Sequence, residues 1–200
     1  MEIGHLYRTE CDNLRLLASE LEQMHDRYIE DNKGCLNSTE GLNVNEYHAP
    51  RCIPNLKALL TSSLLIQIQG LLDFLLPKVV NHQAKKEVRP FDKGNVLCWV
   101  KDVLKEDINS GFDFSSGPYS RLRDFYKIRN DQTHHGGYLS DEKRLVIVNN
   151  LTGIRILQHV NFAGTAVVAS VYDIDFSYCR SVINDAETFL IAVEKNLKPA

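Results

Sequence analysis

An apolar stretch, LKALLTSSLLIQIQGLLDFLL at residues 56–76, most constrains the fold. Its apolar side chains lie nearly all round the helical circumference, whereas a surface helix keeps them on one face. We therefore predict a buried helix at the centre of a bundle. Lys57, Asp73 and two glutamines within the stretch argue against a membrane span. Pro77 predicts an end or a bend of this helix.

Further segments show apolar residues at alternating steps of three and four, which is typical of amphipathic helices. A fourth such helix begins near Ser116 or Pro118, contains RLRDFYKIRNDQTHH, and stops at Gly136-Gly137. The remaining helices are predicted at residues 3–31, at 96–108 and from Phe176 onward, with a long Asn- and Gly-rich loop at 32–54. These patterns predict an all-α fold, a bundle of four to five helices.

The periodicity changes between the fourth helix and the last one. Residues 144–162 contain two β-branched runs around a turn at Asn149–Gly153, which predicts a hairpin. GTAVVASVYDI at 164–174 is a candidate third strand. We therefore predict one domain, residues 1–200, with a β insertion at about 144–172.

Composition restricts the function. A hydrophobic fraction of 44% and a net charge of -3 describe an ordinary globular domain, so any polyanion must bind a local patch. Five scattered cysteines without a C-x-x-C pair favour neither a disulfide framework nor a zinc site. The polar N-terminus lacks a signal-peptide core, so we expect a cytoplasmic protein without a membrane partner.

Arg129 interrupts the inner face of the fourth helix, which runs through Leu122, Phe125 and Tyr126. A core-facing arginine is costly unless a group pairs with it. One explanation is a structural ion pair with a carboxylate such as Asp73 or Glu187. The other is a functional site, because Asn130, His134 and His135 follow closely.

These four residues suit a phosphodiester. A guanidinium offers two parallel donors to phosphate oxygens, an imidazole transfers protons near neutral pH, and an amide orients a phosphate or a ribose hydroxyl. None of them is a preferred magnesium ligand, so we expect neither a metal nor a cofactor. Arg129 and His134 are five residues apart, about 140° round a helix. They converge only if the helix unwinds near His134 or if a second copy of the chain completes the site.

The sequence RNDQTHH, on the penultimate helix of a helical bundle, resembles the signature of the HEPN superfamily (higher eukaryotes and prokaryotes nucleotide-binding domains). That signature is an arginine, often followed by a polar residue, with four to six residues before a histidine. Both His134 and His135 fit this spacing from Arg129. The resemblance implies a homodimer with a composite active site between its copies. At the position two residues beyond the histidine, where some members have a tyrosine, this chain has Gly136.

Many HEPN proteins are metal-independent ribonucleases, so the resemblance implies RNA cleavage by attack of the ribose 2′-hydroxyl. The products would carry a 2′,3′-cyclic phosphate and a 5′-hydroxyl. A toxin or an antiviral defence component, with an antitoxin or a defence complex as partner, is the implied context. The alternative is a catalytically inactive HEPN-like module that binds nucleotides or partners.

A basic stripe on the same helix is the candidate RNA-binding surface. It comprises Arg121, Arg123, Lys127 and Arg129, opposed only by Asp124, and Tyr126 could stack on a base. The alternatives are a solvated helix face for Arg121 and Arg123 and a core position for the tyrosine.

Overall fold

Five α-helices and one antiparallel hairpin make up the part of the chain that the structure, a computed structural model, describes. It describes residues 3–33, 52–84, 87–115, 117–135, 148, 150–160 and 167–197, with the backbone alone at 52–55, 134–135, 157–160 and 167–172. The helices are α1 (Ile3–Asp31), α2 (Cys52–Gln83), α3 (Val96–Asp102), α4 (Pro118–His135) and α5 (Phe176–Leu197). The strands β1 (Ile154–Val160) and β2 (Val167–Ile174) precede α5. The fold is therefore a helical bundle with a small hairpin before its last helix, as the sequence predicts.

Helix α5 packs against α1, α2 and α4. Its apolar spacing is confirmed, since the predicted inner positions are buried: Cys179, Val182, Ile183, Ala186, Phe189, Leu190 and Val193. Charged pairs at its margins, Arg15 with Glu187 and Arg180 with Glu22, join it to α1. A continuous core under three helices fixes the position of α4, which carries the Arg129 motif.

Helix α2 continues through Pro77 to Gln83, so an end at the proline is wrong. Proline has no N–H, and the carbonyl of Asp73 therefore lacks its usual helical donor. The helix segment Leu56–Gln83 is long and apolar enough to cross a bilayer, since an 18-residue window within it has a mean hydropathy of 1.6 and is 39% buried. Core helices of soluble proteins pass the same test of length and composition. The prediction of all-round burial holds only in part, because Leu59, Ile66 and Phe74 are exposed.

The predicted third helix changes its winding halfway. Asn95 caps the N-terminus of α3 by accepting a hydrogen bond of 2.9 Å from the Leu97 N–H. From Val103 to Asp107 the chain forms a π-helical turn, and the Ile108 N–H donates to the Val103 carbonyl at 2.9 Å. Such one-turn π segments widen a helix locally.

The hairpin joins other segments than the sequence predicts. β1 pairs with β2 in antiparallel register, with Ile154 opposite Ile174. The run at 144–147 lies outside the described residues, and Val148 is in a helical turn. Residues 150–153 of the predicted turn lead into β1, and the candidate third strand supplies β2, the strand that pairs with β1. Gly136-Gly137 and most of the predicted loop at 32–54 also lie outside the described residues.

Candidate active site

The C-terminal half of α4 lies along α2 and is fixed by buried apolar residues. Pro118 begins the helix, as its fixed φ favours at the first helical position. Leu122, Phe125 and Ile128 are buried in the core. Arg129 follows this stripe at its border and is half-buried, not directed to the centre of the core. The predicted inner face is therefore displaced by one residue at its end, from Arg129 to Ile128.

Tyr126 is a core residue, and its hydroxyl donates a hydrogen bond of 2.9 Å to Oδ1 of Asp73 on α2. The other oxygen of Asp73 accepts from Nε2 of Gln69 at 3.3 Å. Burial, and next the charge of Asp73, raises the pKa of the phenol, so Tyr126 is neutral at physiological pH. Its ring is only 5% exposed and leaves no face for a base. The prediction that Tyr126 stacks on RNA is therefore corrected in favour of its core alternative.

Gln132 forms a second link between α4 and α2, because the Ser62 hydroxyl donates to its Oε1 at 3.2 Å. The links at Tyr126 and Gln132 lie three residues before and three residues after Arg129. Together they fix the helical turn that carries the arginine. Sequence reasoning missed Ser62, Gln69 and Gln132. The one signal for Ser62 and Gln69 is that they are polar residues within the apolar helix α2.

Arg129 makes no ion pair with any residue that the structure describes. One of its terminal nitrogens donates to Oδ1 of the adjacent Asn130 at 3.2 Å, and its buried Nε has no hydrogen-bond partner there. The two carboxylates proposed as structural partners are engaged elsewhere, Asp73 by Tyr126 and Glu187 by Arg15. Within the described ranges, the geometry thus leaves the guanidinium without the carboxylate that a structural role requires.

The motif histidines belong to the last turn of α4, which is helical through His135. The backbone therefore does not unwind before His134, as convergence within one chain requires. Asn130 is exposed one turn before His134, on the same helix face by spacing. The side chains of His134 and His135 lie outside the described part, so their positions relative to Arg129 stay predictions.

Two of the four cations in the predicted basic stripe form ion pairs with described carboxylates. Arg121 forms a bidentate pair with Asp185 of α5, at 2.6 and 2.7 Å. Lys127 pairs with Asp124 at 2.8 Å. Arg123 is exposed on the same helix. Of the three predicted RNA-contacting cations, Arg123 is therefore the one without a carboxylate partner among the described residues.

Arg121 also borders a cavity of about 400 Å³ between α5 and residues 150–152. Hydroxyls and amides line it, among them Thr152, Ser181 and Asn184. Arg121 precedes Arg129 by eight residues, which is about 12 Å along the helix. This cavity is therefore separate from the turn that carries the motif.

No group of three His, Cys, Asp or Glu side chains within the described ranges is arranged to hold a metal ion. The side chains that the site offers are a guanidinium, an exposed amide and, by sequence, two imidazoles. These groups bind anions and transfer protons. Comparison with protein-family models, with curated proteins and with solved structures found no match to this chain.

Proposed function

We propose that this protein is a metal-independent endoribonuclease whose site is built on Arg129, Asn130 and a histidine at 134 or 135. The observation that carries the proposal is the half-buried Arg129, which forms no ion pair with any described residue. A partly desolvated cation interacts more strongly with an anion than a fully solvated one does. An RNA phosphate is the anion that the neighbouring residue types are suited to process.

The reaction is an internal transfer at phosphorus. A histidine accepts the proton of the ribose 2′-hydroxyl, the 2′-oxygen forms a bond to phosphorus, and the bond from phosphorus to the 5′-oxygen breaks. That oxygen leaves with a proton from a protonated histidine. Arg129 stabilises the charge on the phosphorane oxygens, an effect typically of about 10²- to 10³-fold in rate. The products carry a 2′,3′-cyclic phosphate and a 5′-hydroxyl, without water as a reactant.

The site of this proposal is composite. A helix that continues through His135 keeps positions 129 and 134 about 140° apart round its axis. Two copies of the chain overcome this separation, because the arginine of one and the histidine of the other meet across a two-fold axis. We therefore include a homodimer in the proposed function, in the cytoplasm and with RNA as substrate.

Cleavage of end-labelled RNA in EDTA by the purified full chain tests the activity. We expect cyclic phosphate ends, no cleavage of the matching DNA, and a loss of at least about 10²-fold in Arg129→Ala. Arg27→Ala is the matched control, since this exposed arginine lies on α1 and outside the predicted RNA-binding surface. Separate His134→Ala and His135→Ala variants identify the catalytic histidine.

Two results would reject the enzyme. Cleavage that needs a divalent ion would overturn the mechanism, and cleavage unaffected by Arg129→Ala would overturn the site. If the parent binds nucleotides and cleaves no RNA, the inactive binding module replaces the enzyme.

The proposed biological context is toxicity or antiviral defence, since a free ribonuclease damages its own cell. Expression of the parent should then slow growth, whereas Arg129→Ala should not. An antitoxin or a defence complex would be the partner that restrains it. Equal growth with both chains, at equal protein levels, would reject this context.

A further inference from the structure

Most of helix α2 packs in the core, but one face of it exposes a stripe of apolar residues. Leu59, Ile66 and Phe74 are 68%, 45% and 53% exposed. Exposed Ser63 and Gly70 lie between them at helical spacing. These five residues are called the α2 stripe. It is about 22 Å long, and exposed large apolar side chains aligned on one helix face form a candidate interaction surface.

The α2 stripe carries no charge. No Asp, Glu, Lys or Arg occurs between Ala58 and Leu72. A surface that lies on a two-fold axis meets its own copy, so any charge near the axis would face the same charge. The ammonium of Lys78 lies 3.7 Å from the centroid of the Phe74 ring, at one end of the stripe, and position 78 is about 17 Å along the helix from the midpoint of the stripe. The centre of the stripe is therefore uncharged and faces no like charge across the axis.

The order of large and small residues along the stripe is nearly palindromic. Leu59 and Phe74 lie equally far from the midpoint between Ile66 and Gln67, and so do Ser63 and Gly70. Two antiparallel copies of α2 that cross at this midpoint therefore place Leu59 opposite Phe74, with the small residues between the large ones. A Cβ at Gly70 would meet nothing within 4 Å, so this point of the surface is open to close approach.

A recess between α1 and α2 adjoins the stripe. It has a volume of about 470 Å³ and is lined by Leu17, Gly70 and Phe74, among others. In the antiparallel arrangement, Leu59 of the second copy lies beside this recess. Its polar lining residues are Glu10, Asn13 and Gln67. Leu14 and Leu17 of α1 and Leu71 and Phe74 of α2 supply apolar wall on both sides, which suits an apolar anchor from the partner.

We infer that a second copy of this chain docks on the α2 stripe through a two-fold axis at Ile66–Gln67, and that the axis brings the two Arg129 residues together. The placement of α4 supports the inference that the two Arg129 residues come together at the axis. Tyr126 is bonded to Asp73 and Gln132 to Ser62, so α4 is antiparallel to α2. Arg129, midway between these links, is therefore level with the centre of the stripe.

The symmetry then decides where the second arginine lies. A two-fold axis perpendicular to α2 in the plane of contact keeps each α4 on the same side of the helix pair. The two Arg129 residues therefore lie on the same side of the helix pair and level with the axis, which is the placement that a shared site requires. Their role as one composite site rests on the proposed function, whereas the docking surface does not depend on it.

Sedimentation of the full chain tests the interface. We expect a dimer in the parent and monomers in both Ile66→Lys and Ile66→Glu, because like charges meet at the axis. An equimolar mixture of the two variants should again sediment as a dimer. Leu16→Glu is the matched control, since Leu16 is 62% exposed on α1, and it should remain dimeric.

The register has its own test. Leu59→Glu and Phe74→Lys should each weaken the dimer, and the double variant should restore it, because positions 59 and 74 face each other. A monomeric parent at about 100 µM, or a dimer unaffected by charge at Ile66, would overturn the proposal. A monomeric parent that floats with phosphatidylcholine vesicles would assign the stripe to a lipid surface instead. Circular dichroism confirms that each variant is folded.

The outcomes for interface and enzyme are separable. A dimer that cleaves no RNA retains the interface and rejects the proposed function. A monomer that cleaves RNA rejects the interface and retains the RNA-cleaving activity. If both hold, mixing inactive Arg129→Ala with an inactive histidine variant should restore about a quarter to half of the parent's activity, since mixed dimers contain one intact site.

Discussion

The hydroxyl of Tyr126 donates a hydrogen bond of 2.9 Å to Asp73, which ties α4 to α2 three residues before Arg129. The carboxylate is half-buried, and Gln69 supplies its second donor. Since α2 carries no other acidic residue between Ala58 and Leu76, Tyr126 has one specific partner on the central helix. The turn that carries the motif is positioned by this pair and by the link from Ser62 to Gln132.

Tyr126→Phe should destabilise the protein by about 1–3 kcal/mol, because it leaves a carboxylate oxygen without its donor. Urea denaturation measures the change. A double-mutant cycle with Asp73→Asn is the control, and its coupling energy should lie between about 0.5 and 3 kcal/mol. Strictly additive effects would contradict a direct contribution of this hydrogen bond.

Arg129→Ala should cost less than about 1 kcal/mol of stability, since the guanidinium forms no ion pair with a described residue. Arg15→Ala provides the comparison. Arg15 is similarly half-buried but pairs with Glu187 and bonds Asn184, so we expect its loss to cost about 1–2 kcal/mol. Thermal unfolding of both variants measures the difference. A larger loss at Arg129 would favour the structural ion pair over the functional site.

Tyr7 should make stability fall at alkaline pH. Burial, and next the hydrogen bond to Glu194, raises the pKa of Tyr7 to about 12 from its ordinary 10.0. The unfolded chain releases this proton first, so the contribution is complete below pH 10 and is lost as the pH rises toward 12. Each unit corresponds to about 1.4 kcal/mol, which gives a loss of roughly 2–3 kcal/mol over the window.

Comparison of the parent with Tyr7→Phe in urea at pH 9 to 11 isolates this effect. The buried thiols Cys11 and Cys179, whose pKa values burial also raises to about 12, cancel in the comparison. The stability advantage of the parent should shrink steadily above pH 10. An advantage that is constant across the range would exclude Tyr7 as the source.

Gly153→Ala should destabilise the protein by about 1–3 kcal/mol. Gly153 has a φ of 85°, and a Cβ there would lie 2.8 Å from Oγ of Ser177 and 2.9 Å from the Tyr178 nitrogen. Gly111→Ala is the matched control, because its Cβ would meet nothing within 4 Å. We expect that control to be neutral or slightly stabilising in thermal unfolding. Equal melting temperatures for the two variants would show that the approach of residue 153 to α5 is not tight.

Local spacing predicted much of the fold. Helices α1 and α5 and the start of α4 at Pro118 follow from apolar periodicity and from the backbone preference of proline, which depend on neighbours in sequence. Pro77 shows the limit of such signals. Its stop signal is overridden because the residues on both sides of it, such as Leu76 and Val79, are buried in the core.

The partners of the strands and of the charged residues were not predictable in this way. Three β-branched runs allowed more than one pairing. In the structure β1 pairs with β2, and Asp173 of β2 also forms an ion pair of 3.0 Å with Lys57 of α2, a contact that the sequence does not indicate. Arg121 and Arg129 look alike in the sequence. Arg121 differs because Asp185, which is far away in the sequence, lies beside it in the structure and neutralises its charge.

The amino-acid order alone determined which segments are helical and where the Arg-Asn-x-x-x-His-His motif lies, because hydrophobic spacing and motif spacing are local properties. Tertiary packing decided that Tyr126 of α4 is buried, that Arg121 is paired with a carboxylate whereas Arg129 forms no ion pair with a described residue, and that one face of α2 remains exposed. Those outcomes depend on which side chains of neighbouring helices lie within a few ångströms, and these side chains come from residues far apart in the chain.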